Sequence, residues 1–103
     1  NEFDVLICPS ASVSPFPHKN LFVDEINGKK MSSYMRWLAL SYAPTMALPC
    51  AWSIPCGLDH LKMPFGIQLI APSGNDAKIS EIAYSLESIL NLNEETKRPR
   101  PKI

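Results

Sequence analysis

Neither sign of charge dominates this sequence. Ten basic and ten acidic residues cancel over 103 positions, so no long-range field draws nucleic acid or an anionic membrane surface, and neither partner is expected. No apolar run approaches the roughly 20 residues of a membrane-spanning helix, and no internal repeat is found. Histidine is scarce: His18 and His60 stand far apart in polar stretches, without a cysteine or carboxylate at metal-ligand spacing. No zinc site is therefore expected, and no cofactor. Cys8, Cys50 and Cys56 are odd in number and lie in apolar stretches beside proline or small residues. That excludes a closed disulfide framework and reads as buried, reduced structural thiols in a reducing, cytoplasmic compartment. Cys50 and Cys56 are spaced too widely for a redox pair. The chain opens on Asn1 and enters an apolar run almost at once, which leaves no room for a signal peptide and reads as a cut start.

What is present suits a folded globular protein, with 46% hydrophobic and 19% charged residues. A chain of this length buries only about two-thirds of its unfolded surface, so its core is modest. Val5, Leu6 and Ile7 are consecutive in a run over 3–7, the pattern of a strand covered on both faces within a larger sheet. Pro9, Pro15 and Pro17 with their serines then exclude helix and central strand up to residue 18 and predict an ordered loop or lid. Asn27-Gly28 predicts a turn. Ser32-Ser33 offers a helix start, and Met31, Tyr34, Met35 and Leu38 follow at helical spacing with Trp37 beside them. This predicts a helix over 32–43 with Trp37 in its core stripe, ended by a loop bracketed by Pro44 and Pro49.

Strands are predicted over 51–55 and 64–71, joined by a hairpin-like loop over 57–63. Pro55, lacking an amide hydrogen, is expected at a strand end. Gln68 interrupts the buried run Gly66-Ile67-Gln68-Leu69-Ile70, and a buried amide must tie down neighbouring backbone. Ser73-Gly74-Asn75-Asp76 has capping-box spacing, so a helix is expected to start there under Ser73. Ile79, Ile82, Ala83, Leu86 and Leu90 define its buried face, with Lys78, Glu81 and Glu87 off it, and it should end near Asn91 or Asn93. Residues 94–103 carry basic residues and prolines without periodicity and read as a mobile tail.

The stretch Met63 to Glu87 resembles the C-terminal signature of amidase signature enzymes, P-x-G-x-Q-x-(I/V)-G-P-x-G-x-D followed by a helix ending A-x-x-(L/F)-E. Pro64, Gly66, Gln68, Ile70, Pro72, Gly74, Asp76, Ala83, Leu86 and Glu87 carry the match. Phe3-Asp4-Val5-Leu6 before Pro9 is similar to that family's FDVLLTPT strand, Tyr34 and Trp37 to its Y-x-x-W helix, and Ser53-Ile54-Pro55-Cys56-Gly57 to SVPCG. The sequence departs from the pattern over 43–52, where Gly and Pro do not align, at Trp52 in place of a modest aliphatic, and at Ala71 in place of glycine.

The resemblance implies an α/β fold. Residues 1–93 would form the C-terminal portion of the family's mixed β-sheet core flanked by helices, and 94–103 a basic, proline-containing tail. It also implies hydrolysis of carboxamides by a nucleophilic serine, a second serine in a cis-peptide and a lysine base. The Gly/Ser-rich signature that carries this set is not among these residues, whose glycines are scattered at 28, 57, 66 and 74. No catalytic residue is thus expected here, and the segment alone should be silent. Ser10 lacks the flanking glycines of a nucleophile elbow, but the corresponding loop of the family borders the substrate pocket. Ser10, with Trp52 at its departure from the pattern, is a candidate substrate-binding residue. The implied partners are the remainder of an amidase chain and a small amide. The alternative is a binding or assembly module with the same fold, whose exposed strand edges would drive homo-oligomerisation.

Overall fold

A computed structural model describes residues 2–47 and 49–101. Asn1, Leu48 within the departing stretch, and the last two tail residues, Lys102 and Ile103, lie outside the described residues. Three strands form an antiparallel sheet in the order β1-β5-β4: β1 is Leu6–Pro9, β4 Cys50–Leu58 and β5 Pro64–Ala71. Between β1 and β4 lie a two-strand ribbon, β2 Glu25–Ile26 and β3 Lys29–Lys30, and two short helices, α1 Tyr34–Trp37 and α2 Ala39–Met46. The long helix α3, Asp76–Leu90, follows β5. The architecture is a small mixed α/β one, and no helix among the described residues is long and apolar enough to cross a membrane.

One face of the sheet is closed by α3. Ile79 and Ala83 are buried against Ile54, Leu69 and Ala71, with Ile82, Leu86 and Leu90 packed around them, as the helical spacing predicts. Each fully buried aliphatic contributes about 1.5–3 kcal/mol. Fifteen large hydrophobic side chains are exposed among the described residues, on the sheet, in the loops and on α3 itself, including Leu6 at 64% and Ile7 at 51%. The radius of gyration, 15.3 Å, exceeds the approximately 13 Å of a compact chain of this length.

Several expectations are corrected. The first strand is Leu6–Pro9, not 3–7, and its side chains are exposed apart from the half-buried Cys8 rather than covered on both faces; its outer edge has no partner among the described residues. The predicted 32–43 helix is broken at Leu38 (φ −84°, ψ 4°), and α2 then runs through Pro44 to Met46. A proline inside a helix orphans the carbonyl four residues back, here that of Leu40. Gln68 Nε2 donates to that carbonyl at 2.8 Å and to the Pro9 carbonyl at 3.2 Å. Gln68 therefore anchors backbone as expected, and its bond accommodates the proline within the helix.

Pro55 lies inside β4 rather than at its end, which is tolerated because β4 is an edge strand whose register shifts between Pro55 and Leu58. That extension shortens the connecting loop from the expected 57–63 to 59–63. Helix α3 is capped by Asn75, not Ser73. Gly74, at φ +82°, turns the chain after Pro72, and Asn75 spends its side chain backwards on the Pro72 carbonyl at 2.9 Å. Asn27 and Gly28, with φ of 50° and 75°, form the β2–β3 turn that the dipeptide predicts. All three thiols are free and half-buried rather than buried.

At Gly66, β5 passes close to its neighbours. A Cβ there would stand 3.2 Å from Ser10 Oγ and 3.3 Å from the Ile54 carbonyl. Gly66→Val, which adds two further carbons, is expected to lower stability by about 1–3 kcal/mol. Ser10→Ala, losing an exposed hydroxyl, should change it by less than about 0.5 kcal/mol. Urea-unfolding midpoints measure both, and an unchanged midpoint for Gly66→Val would contradict the close approach.

Candidate functional site

On the face away from α3, the loop leaving β1, the end of α1, the 59–63 turn and the first residues of β5 enclose a cleft of about 510 Å³. β1 pairing aims the loop: after the Pro9–Ile67 register pair, the Ser10 amide donates to the Gly66 carbonyl at 3.0 Å. The Ser10 hydroxyl then lies 2.7 Å from that of Ser53, so one of the two donates to the other. Ser53 is opposite Gln68 in the β4–β5 register, which places both on this face. The partner of Ser10 is a hydroxyl, not a base, so nothing in this contact activates it as a nucleophile.

The cleft's far wall is aromatic. Phe16, Trp37 and Phe65 line it. Phe16 and Trp37 meet edge to face at 5.6 Å between ring centroids, and Tyr34 continues the cluster at 6.2 Å from Trp37. Trp37 is half-buried, and its indole N–H is buried with no acceptor among the described residues. Such an orphan donor is uncommon in folded proteins.

The cleft's rim is held by Asp59. Its carboxylate accepts from the Ser14 hydroxyl, from the Leu61 amide at 2.8 Å and from the Met63 amide at 3.0 Å. One carboxylate thus shapes the turn, where Lys62 takes φ +62°, and clamps the serine loop to it. The Ser14 hydroxyl holds the Asp59 carboxyl below its ordinary value, helped by the Met63 and Leu61 amides and by His60, and opposed by desolvation. A group with a lowered folded pKa stabilises above its unfolded value, near 3.9, and loses that contribution as pH falls through the lowered folded value. The clamp is therefore expected to be complete at neutral pH and to open only in acid. Protection of the Leu61 and Met63 amides from hydrogen exchange should be high at neutral pH in the native chain and lost there in Asp59→Ala. Equal protection in both would contradict the clamp.

Ser10 borders the cleft; Trp52 does not. Trp52 pairs with Leu69, on the α3 face, and is 44% exposed, so the structure places the two candidate residues on opposite sides of the sheet. Sequence reasoning missed Ser53, Ser14, Asp59, Phe16 and Phe65 as site residues, and assigned Trp37 to the core. Asp59 ahead of a turn was a legible signal for backbone capping; the serine partners, close only in space, left none. Among the described residues no cluster of three histidine, cysteine or acidic side chains could hold a metal ion.

Comparison with known proteins follows the same residues. The profile of the Amidase family matches residues 1–79. A glutamyl-tRNA(Gln) amidotransferase subunit of Halothermothrix orenii is 29% identical over 99 residues, and its counterpart in Alkaliphilus metalliredigens 31% over 98, covering 96% and 95% of this chain. The 2-amino-5-chloromuconic acid deaminase of Comamonas testosteroni is 30% identical over 90 residues, 87% of this chain. The chain spans 19% of the length of each of these relatives. No solved structure matches it significantly.

Proposed function

Since this chain belongs to the amidase signature family, we propose that it forms the C-terminal part of an amide hydrolase whose serine, cis-serine and lysine lie in sequence outside these residues. Serine attacks the carboxamide carbonyl and backbone amides hold the tetrahedral oxyanion. Ammonia or an amine then leaves, and water releases the acyl group. The amidotransferase relatives make a second amine the variant acceptor to assay beside water. This segment contributes scaffold and one pocket wall, the cleft beside Ser10. The supporting observation is that the elements enclosing the cleft all fall within the residues that match the family.

The remainder of the amidase chain is the proposed cover for the free edges of β1 and β4 and for the exposed apolar side chains. Those same edges favour a second reading, a binding or assembly module that self-associates through them. Ammonia release from simple amides separates the two, comparing the 103-residue chain with the longest product of its gene. Release by the longer product alone is expected; release by neither favours the module, and release by the short chain would place the chemistry here.

A further inference from the structure

We infer that the amide taken by this enzyme bears an uncharged aromatic group, and that the cleft between the serine loop, Trp37 and Phe65 receives that group; the inference rests on the amide-hydrolase reading above. Size permits it, since an apolar cavity of about 150 Å³ accommodates benzene and the cleft has about 510 Å³. Shape favours it. Phe16 and Trp37 already pack edge to face, and Phe65, 37% exposed beside them, leaves an aromatic surface for a further ring to complete.

Charge on this wall disfavours a zwitterionic amide such as free glutamine. Free glutamine carries an ammonium and a carboxylate, and each needs a paired partner once desolvated. Asp59 and His60 are the titratable groups of the lining, and no lysine or arginine among the described residues joins them. Both Asp59 oxygens are already engaged, one by Ser14 and the other by the Leu61 and Met63 amides, while His60 is exposed. The other polar features are neutral. One hydroxyl hydrogen of the Ser10–Ser53 pair is used between the two serines and the other has no acceptor among the described residues, while the Trp37 indole N–H is buried out of a ligand's reach. An uncharged aromatic group brings no charge that would need a partner in this cleft.

The test uses the longest product of the gene, with 3-phenylpropionamide and L-glutamine as probes. 3-Phenylpropionamide is expected to be hydrolysed with the higher kcat/KM, and Phe65→Ala to lower that value by about tenfold, mainly through KM. Preference for L-glutamine would overturn the inference, as would a preference unmoved by Phe65→Ala in a variant of unchanged thermal midpoint. If neither amide is hydrolysed, the amide-hydrolase reading fails on its own. Binding then decides the cleft, read from Trp37 fluorescence in a background in which Trp52, which lies outside the cleft, and every tryptophan beyond these residues are replaced by Phe. Quenching by 3-phenylpropionamide that Phe65→Ala abolishes supports the assignment, and no quenching overturns it.

Discussion

Gly57→Ala is expected to lower stability by about 2–4 kcal/mol, although it adds a single methyl group. Gly57 is buried in the irregular part of β4 with φ +74°, and a Cβ built there would stand 2.0 Å from the Glu95 carbonyl oxygen and 3.1 Å from Thr96 Cα. The left-handed backbone alone costs a non-glycine residue about 1–2 kcal/mol. The rest comes from displacing the chain after α3. That segment is held by the Thr96 hydroxyl donating to the Leu90 carbonyl at 2.8 Å and the Arg98 amide donating to Asn91 Oδ1 at 3.1 Å. Arg98 also lies 3.7 Å from Glu87. Each hydrogen bond contributes about 0.5–1.5 kcal/mol; the exposed ion pair contributes little. Ending the chain at Asn93 isolates the two effects. In that shorter chain the penalty for Gly57→Ala should fall to the backbone cost alone, read from urea midpoints. An equal penalty in both lengths would mean that the 94–98 segment does not pack on Gly57.

Gln68→Leu carries a comparable expected loss, about 2–4 kcal/mol, because it strips the amide donor from the Pro9 and Leu40 carbonyls at once. Leucine has similar bulk, so the loss is one of polar satisfaction rather than volume. The Leu40 half has its own control. Pro44→Ala returns an amide hydrogen to α2 at the position that donates to Leu40, so in that background Gln68→Leu should cost less by about 1 kcal/mol. Strict additivity of the two substitutions would show that Gln68 does not serve the carbonyl left free by the proline. The Pro9 half is coupled to the site. Pro9 precedes Ser10, so loosening it should also weaken the Ser10 amide bond to Gly66.

Within the fold, legibility followed the range of the interactions. β5 begins and ends where its apolar run does, and α3 buries the face that its periodicity marks, because each depends on one repeating pattern in adjacent residues. Errors concentrate at prolines and caps. Local rules make Pro44 and Pro55 terminators, yet one is satisfied by a side chain of β5 and the other sits on an unpaired strand edge. Ser73 satisfies the local pattern of a cap, but the turn at Gly74 moves the helix start to the next eligible residue. The cleft was legible only at Ser10. Its other elements come from loop, helix and turn residues that no spacing rule connects.

The sequence by itself determined the elements whose cause is local: the Asn27-Gly28 turn, the β5 strand, the amphipathic face of α3 and the need of Gln68 for backbone partners. It also carried the family, because the matching residues are spread along a continuous stretch that can be compared position by position. Only the tertiary structure decided which carbonyls Gln68 serves, that Ser10 meets Ser53 while Trp52 faces the other side, and that Asp59 fastens the serine loop. Those outcomes depend on strand register and on side chains brought together from distant positions, and a hydrogen bond is fixed by distance and angle in space, which no order of residues specifies alone.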